Sequence, residues 1–268
     1  KGKIATNDKV TISENAASMG GSQMYLEPGE QHTVEELLKG VIMASANDGA
    51  VALAEHLSGS VEEFVDDMNA KAAEMGLKNS HFVNTNGLPV AEHYSCAYDI
   101  GMICRQLMTY EFARDWFTAW QEDIKVGLPG KEKDFTLTNT NKMIRTYKGA
   151  IGGKTGFTQD AGYCLAEAAQ RDSTRMIAVV LGCKDSKVRF AETARLLDHG
   201  FASYETVPVA KKGQKLRTIT LPKSDQQEVA AVPEETIAAT VKKGKKANIT
   251  KKISIDKSVA CPVKKGEK

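Results

Sequence analysis

Two short motifs in the sequence contain side chains that can do chemistry. The first, Ser45-Ala46-Asn47, lies between two helical patterns and places a hydroxyl and a carboxamide two residues apart. If the backbone turns between them, both groups face one pocket. The serine can then relay a proton, and the asparagine offers both a donor and an acceptor. Taken alone, the motif also fits the polar N-terminus of an ordinary helix.

The second motif is Gly152-Gly153-Lys154-Thr155-Gly156, which comes just before a strand-like run. A lysine and a threonine on a strand flanked by glycines provide a cation, a hydroxyl and a backbone edge that a ligand can approach closely. A glycine-rich turn with a solvated lysine is the alternative. A phosphate-binding loop is excluded, because its upstream glycine would fall at Lys148.

The elements that must position these motifs begin as helices. Polar caps with a glutamate three residues later predict helix starts at Thr33-Val-Glu-Glu36 and Ser60-Val-Glu-Glu63, and the second of these helices is expected to end at Gly76. Asn47-Asp48 is expected to start a helix that runs to Leu57, and Ser95 is expected to cap the next one.

The later part of the pattern favours strands. Tyr163–Gln170 and Met176–Leu181 are typical of two strands joined by the polar turn Arg171–Arg175, which predicts a hairpin, and a helix is expected over Val188–Phe201. Helices followed by an antiparallel hairpin indicate an α+β fold rather than a parallel α/β fold.

Composition changes near Thr206 in the 268-residue chain. Residues 207–268 contain 15 Lys and Arg against 6 Asp and Glu, whereas the whole chain has a net charge of only +2, and every aromatic residue lies before position 207. We therefore predict two domains, 1–206 and 207–268. Short Val/Ile runs at Leu216–Leu221, Ile237–Val241 and Ile249–Ile255 predict a small all-β second domain.

Several functional classes are disfavoured by the sequence. Its five cysteines form no CxxC pair and its five histidines show no ligand spacing, so we expect no metal site and no cofactor. Four of the cysteines are expected to be buried free thiols: Cys96, Cys104, Cys164 and Cys183. The basic tail lacks aromatic residues that would stack on bases, so nucleic acid is not an expected partner.

The flanks of the two motifs extend the pattern along the first domain. They include Tyr25-Leu-Glu-Pro-Gly29, Ser45-Ala-Asn-Asp-Gly-Ala-Val-Ala-Leu-Ala-Glu55, Met75-Gly-Leu-Lys-Asn79, Asn86-Gly-Leu-Pro89 and Lys154-Thr-Gly-Phe-Thr158. In this order, the segments resemble the low-molecular-mass penicillin-binding proteins, which are serine D-alanyl-D-alanine carboxypeptidases. The resemblance covers nearly all of residues 1–206, and the basic tail lies where that family has its second domain.

The resemblance implies a fold as well as an activity. It implies a β-lactamase/transpeptidase-like domain, with an antiparallel sheet flanked by helices and a helical subdomain, followed by a small all-β domain. The substrate would be a peptidoglycan stem peptide ending in D-Ala-D-Ala, cleaved through an acyl-serine. β-Lactam antibiotics would inhibit the reaction.

The resemblance also implies a role for each residue of the second motif. Lys154 would direct positive charge to the substrate carboxylate and the proton relay, and Thr155 would hydrogen-bond that carboxylate. Gly156 would leave room for the ligand along the strand, and the backbone N–H of Phe157 would be an oxyanion-hole donor.

Further roles follow for the first motif and for one arginine. Ser45 would pass a proton to the leaving amine, and Asn47 would hold the substrate amide. Arg189 falls where the family has a guanidinium that helps to bind the terminal carboxylate, a task that suits its fixed fork of donors. The catalytic group would therefore be Ser45, Asn47 and Lys154, with Thr155 and its neighbours binding substrate.

The chain departs from the family pattern in one respect. The family's nucleophile belongs to an S-x-x-K motif ahead of the S-x-N motif, whereas this chain has only Ser254-Ile-Asp-Lys257, in a strand-like run of the tail. Serine and lysine three apart face opposite sides of a strand, so this match is rejected. We expect the nucleophile, with the N-terminal part of the first domain, to lie upstream of Lys1.

The resemblance carries expectations about location too. Family members act in the bacterial cell envelope, at the outer face of the cytoplasmic membrane, through a C-terminal amphipathic anchor expected beyond Lys268. Two alternatives remain. Because the nucleophile motif is missing, the first is a non-catalytic peptidoglycan-binding or scaffold protein. A class A β-lactamase fits less well, because Ala46 stands where that class has an aspartate.

Overall fold

The structure is a computed structural model that describes residues 4–220, 228–244 and 249–254. Two compact units are present. The first comprises the described residues up to Arg171 together with Arg175–His199, and the second comprises Asp172–Thr174 and the described residues from Gly200 onward. The structure divides the chain at Gly200, six residues before the boundary predicted at Thr206, and that boundary stays a prediction.

Short helices dominate the first hundred residues. A two-stranded antiparallel ribbon accompanies them, and a π-helix over Gly40–Ala44 directly follows the second helix. The elements are β1 (Lys9–Thr11), α1 (Glu14–Ala17), β2 (Gln31–Thr33), α2 (Val34–Lys39), α3 (Asn47–Ser58), α4 (Val61–Glu74) and α5 (Ala97–Leu107).

The helix caps mostly follow the sequence prediction. Thr33 and Glu36 form the predicted reciprocal capping box of α2, and the Ser60 side chain accepts from the Glu63 amide at the start of α4. The prediction that Ser95 caps α5 is wrong. Cys96 is the N-cap, with its thiol accepting from the Asp99 amide, because the Ser95 hydroxyl instead bonds the Ser80 hydroxyl.

The rest of the first unit is built on a three-stranded sheet. Its strands are β5 (Ala150–Thr158), β6 (Gly162–Arg171) and β7 (Thr174–Cys183), in that order, and the predicted hairpin between the second and third strands is confirmed. The hairpin of β3 (Gln121–Val126) and β4 (Lys133–Thr138) has no clear strand signal in the sequence, because most of its residues are charged or polar. The elements, of which Thr174 and residues 200–203 belong to the second unit, are α6 (Arg114–Thr118), β3 (Gln121–Val126), β4 (Lys133–Thr138), α7 (Met143–Thr146), β5 (Ala150–Thr158), β6 (Gly162–Arg171), β7 (Thr174–Cys183) and α8 (Ser186–Ser203).

Two apolar clusters stabilise this unit. One packs α2, α3 and the π-helix against β1 and the β3–β4 hairpin around fully buried Leu37, Met43 and Leu137. The other packs α5 and α6 on the sheet, where Phe117 and Cys104 meet small residues of β6. The small residues let these helices lie close to the sheet, and this packing fixes the strand that carries the glycine-rich motif.

The thiols are less buried than predicted. Cys96, Cys104, Cys164 and Cys183 are all free, but only Cys104 is buried. The other three are half-buried, because they lie at a helix start or near strand ends rather than under the helices.

The second unit contains paired strands. β8 (Tyr204–Ala210) pairs with β11 (Ile237–Lys242), and β9 (Arg217–Thr220) pairs with β10 (Glu228–Ala231), both antiparallel. The predicted strand at 249–255 is wrong for residues 249–254, which form none, and Ile255 lies outside the described residues. The α+β class with a small β-rich domain is confirmed. Within the described ranges, no helix combines the length and the apolar character needed to cross a bilayer.

Candidate active site

Ser45 occupies an unusual backbone position. The π-helix that follows α2 ends at this residue, which takes a left-handed conformation with φ 61° and ψ 38° and donates its amide proton to the Gly40 carbonyl. A serine in this region is held there at some cost in free energy, and such positions concentrate at functional sites. The turn separates α2 from α3 and presents the serine hydroxyl at the helix junction.

Asn47 and Asp48 anchor this turn from the first residues of α3. The Asn47 side-chain amide donates to the Gly20 carbonyl at 2.7 Å, and its backbone amide donates to the Ser22 carbonyl at 2.8 Å. The Asp48 carboxylate is buried. Its two oxygens accept hydrogen bonds from the Met24 amide, at 3.1 and 3.0 Å, and from the amides of Leu26 and Gly49. The local sequence thus ties the motif to the loop over residues 20–26.

The fold brings the two sequence motifs into direct contact. Lys154 Nζ donates to Ser45 Oγ at 2.8 Å although the residues are 109 positions apart, and it also donates to the Thr155 carbonyl at 2.8 Å. An ammonium held by two oxygens has a fixed position and can serve both a proton relay and an anionic ligand. This contact is the central feature of the site.

The environment of Lys154 changes its acidity. Burial, with a further contribution from the positive charge of Arg189, lowers the pKa of the ammonium to about 8. Both effects disfavour the charged form. The ammonium form therefore predominates at pH 7, and the group loses its proton as the pH rises through about 8.

Thr155 has a partner that the sequence analysis missed. Its buried hydroxyl hydrogen-bonds the Thr140 hydroxyl at 2.7 Å, and the Thr140 amide donates to the Met43 carbonyl at 3.0 Å, two residues before Ser45. The segment Asn139–Asn141, which we call the bridge segment, therefore links both motifs. In the sequence, this segment is marked only by a polar run between the hydrophobic residues Leu137 and Met143, both of which are buried in the structure.

Gly156 and Phe157 continue the strand beyond Lys154. Gly156 is exposed. Phe157 is 55% exposed, and its ring lies 4.3 Å from the Tyr163 ring, centroid to centroid. Among the described residues β5 pairs only with β6, so its other edge has backbone groups available to an extended ligand.

Arg189 lies against the same strand but is largely enclosed. The residue is only 7% exposed, and its Nη1 donates to the carbonyls of Gly156 at 3.1 Å and Cys164 at 3.3 Å. The guanidinium also lies over the rings of Phe190 and Tyr163. The structure thus shows a contact of Arg189 with the strand backbone. Its predicted contact with a substrate carboxylate stays a prediction.

The two glycines around Lys154 predict different mutational effects. A Cβ at Gly153 would lie 2.6 Å from a carboxyl oxygen of Glu167 and closer still to the Ala166 carbonyl, so Gly153→Ala is expected to lower the free energy of unfolding by about 1–3 kcal/mol. A Cβ at Gly156 would meet only Cys164, at 3.8 Å, so Gly156→Ala should retain stability. Urea denaturation of both variants checks this, and equal losses would contradict it.

The site consists of a cation, three hydroxyls and an open strand edge, which suits a peptide with a terminal carboxylate. In the described part of the chain, no group of three His, Cys, Asp or Glu side chains has the arrangement of a metal site. The groups that this chain offers for chemistry here are the ammonium, the hydroxyls and backbone donors.

Comparisons with known proteins all indicate the same family of proteins. Residues 1–185 match the family described as D-alanyl-D-alanine carboxypeptidase, and residues 204–268 match the C-terminal domain of penicillin-binding protein 5. A D-alanyl-D-alanine carboxypeptidase, DacF of Bacillus subtilis, is 43% identical over all of this chain, which spans 68% of that protein. DacC of Escherichia coli is 32% identical over 99% of the chain, which spans 66% of that protein.

Solved structures are similar as well. Penicillin-binding protein 5 of Haemophilus influenzae has a TM-score of 0.76 at 32% identity, with 91% of this chain and 71% of that chain covered. The carboxypeptidase DacD of Francisella tularensis has a TM-score of 0.73 at 30% identity, with 90% and 70% covered.

Proposed function

This chain belongs to the D-alanyl-D-alanine carboxypeptidase family, and we propose from that premise that its site binds a stem peptide ending in D-Ala-D-Ala and helps to release the last D-alanine. The observation that carries the proposal is the 2.8 Å hydrogen bond from Lys154 Nζ to Ser45 Oγ. It joins the ammonium to a hydroxyl that can relay a proton.

In this proposal the glycine-rich strand binds the peptide. The peptide extends along β5, with its terminal carboxylate close to the Lys154 ammonium and the Thr155 hydroxyl. Gly156 leaves space for the peptide backbone, and the Phe157 amide stabilises negative charge on the carbonyl oxygen of the scissile bond. Arg189 adds positive charge behind the strand, where its guanidinium bonds the Gly156 carbonyl.

The first motif then handles the leaving group. Ser45 passes a proton to the amine of the departing D-alanine, and the neighbouring Lys154 ammonium replaces that proton through the existing hydrogen bond. Asn47 holds the amide of the peptide from the first turn of α3. Acyl transfer also needs a nucleophilic serine, and we propose that an S-x-x-K motif outside residues 1–268 supplies it.

The proposal extends to inhibitors and to location. A β-lactam that mimics D-Ala-D-Ala is expected to acylate the same serine, in line with the similarity to the penicillin-binding protein 5 of Haemophilus influenzae. Because its relatives are carboxypeptidases of D-alanyl-D-alanine, a peptidoglycan terminus, we propose that the protein works in the bacterial envelope, outside the cytoplasm. Attachment to the membrane through a C-terminal anchor is part of the same proposal.

The test is release of D-alanine by the protein expressed from its complete gene. A pentapeptide ending in D-Ala-D-Ala is expected to lose one D-alanine, whereas a matched peptide ending in D-Ala-L-Ala is expected to stay intact. Chiral amino-acid analysis distinguishes the two. Equal cleavage of both peptides, or cleavage of neither, would contradict the proposed function.

A further inference from the structure

A carboxyl group lies buried directly behind the Lys154 strand. Glu167 on β6 pairs with Gly153 of β5 and has no exposed surface. Its Oε2 accepts from Asn141 Nδ2 at 2.5 Å, and the Gly152 amide also donates to the carboxyl group. Its Oε1 is buried without a hydrogen-bond partner among the described residues. An acidic group in such a place needs an explanation.

Asn141 connects this carboxyl group to the bridge segment. Its backbone amide donates to Asn139 Oδ1 at 2.9 Å, and its own Oδ1 accepts from the Met143 amide at 3.1 Å. The Asn139 side chain in turn donates to the Ala119 carbonyl at 2.9 Å. Both ends of the segment are therefore fixed by buried asparagines, with Thr140 held between them.

Resting on the function proposed above, we propose that Glu167 is a positioning residue of this site. Its carboxyl group fixes Asn141, and Asn141 fixes Thr140 between the Met43 carbonyl and the Thr155 hydroxyl. The two motifs meet correctly only when Thr140 holds this place. A carboxylate accepts hydrogen bonds more strongly than a carboxylic acid does. Asn141 and Thr140 are therefore held more firmly when Glu167 is ionised.

The surroundings of Glu167 allow its charge to change near neutral pH. Burial raises its pKa to about 7, and the hydrogen bonds from Asn141 and Gly152 oppose that effect. Cys104 of α5 is a titratable group that Glu167 influences, and burial together with Glu167 raises the pKa of this thiol to about 12, so it stays neutral. On β5, Gly152 and Gly153 carry no charge, and the neighbouring Lys154 ammonium bonds Ser45 and the Thr155 carbonyl instead. The carboxylate, which accepts more strongly, is therefore the form present above pH 7.

The first test compares Glu167→Gln with the unaltered protein from its complete gene. We expect kcat/KM for D-alanine release to rise about tenfold as pH increases towards 7 and to fall again as Lys154 loses its proton at about pH 8. In Glu167→Gln the rise should be absent and the fall should remain. Hydrogen exchange of the backbone over 138–143 should slow over the same range, after correction for intrinsic rates, only in the unaltered protein. Exposed Glu62→Gln is the matched control and should keep both changes.

A second pair of variants keeps the proposal testable if Glu167→Gln does not fold. Thr140→Val removes the hydroxyl that bonds Thr155 but keeps the amide that bonds Met43. It is expected to lower kcat/KM about tenfold, and Thr140→Ser, which restores a hydroxyl, is expected to recover most of the loss. A packing role alone would not produce recovery by the smaller serine.

The outcomes separate this proposal from the proposed function. Loss of the pH-dependent exchange in Glu167→Gln supports the positioning role, and an unchanged exchange profile overturns it. If the unaltered protein releases no D-alanine, the proposed function fails, and the exchange measurement alone decides the role of Glu167.

Discussion

Lys154→Met is expected to lower both penicillin acylation and D-alanine release about 10³-fold in the protein expressed from its complete gene. The methionine side chain has a similar length but carries no charge and has no proton that it can donate in a hydrogen bond. Ser45 would lose its hydrogen-bond donor, and the peptide carboxylate would lose its cation. Acylation rates measured with a fluorescent penicillin, together with D-alanine release, check the prediction.

The matched control for this change is Lys148→Met. Lys148 is exposed and six residues away on the same part of the chain, so both rates should stay unchanged. The pH dependence gives a second check. Because the pKa of Lys154 is lowered to about 8, binding of the carboxylate should weaken as pH rises through that value. Equal effects of the two substitutions would contradict the role of Lys154.

Asp48→Ala is expected to produce the largest loss of stability, about 3–5 kcal/mol in the free energy of unfolding. The buried carboxylate accepts hydrogen bonds from the backbone amides of Met24, Leu26 and Gly49. Alanine would leave these donors buried without a partner, and the loop that anchors Asn47 would lose its attachment. Urea denaturation measures the change.

Two controls separate hydrogen bonding from general damage. Asp48→Asn keeps one acceptor oxygen and should lose clearly less stability than the alanine variant. Exposed Asp66→Ala should change the free energy of unfolding by no more than about 0.5 kcal/mol. A similar small change for Asp48→Ala would show that its hydrogen bonds do not hold the turn.

Features set by local chemistry were predictable from the sequence. The Thr33 capping box and the hairpin of β6 and β7 depend on residues close together in the chain, and both are confirmed. The N-cap of α5, Cys96, was not predictable, because the hydroxyl of Ser95 bonds Ser80, fifteen residues away. The competing partner is visible only once the chain has folded.

The candidate site shows the same division. Residue types and order indicated Ser45 and Lys154, but their contact across 109 positions is a property of the fold. Thr140 and Glu167 had no sequence signal of their own. Their importance comes from burial and from hydrogen bonds to residues distant in the sequence, which neither periodicity nor motif spacing reports.

The most direct test of the central claim is intact-mass measurement after incubation with a penicillin, followed by peptide mapping. The protein expressed from its complete gene is expected to gain the mass of one penicillin, on a serine of an S-x-x-K motif outside residues 1–268. Absence of an adduct would contradict the account. An adduct on Ser254 would contradict it too, because the nucleophile would then not belong to the S-x-x-K motif that Ser45 and Lys154 are proposed to assist.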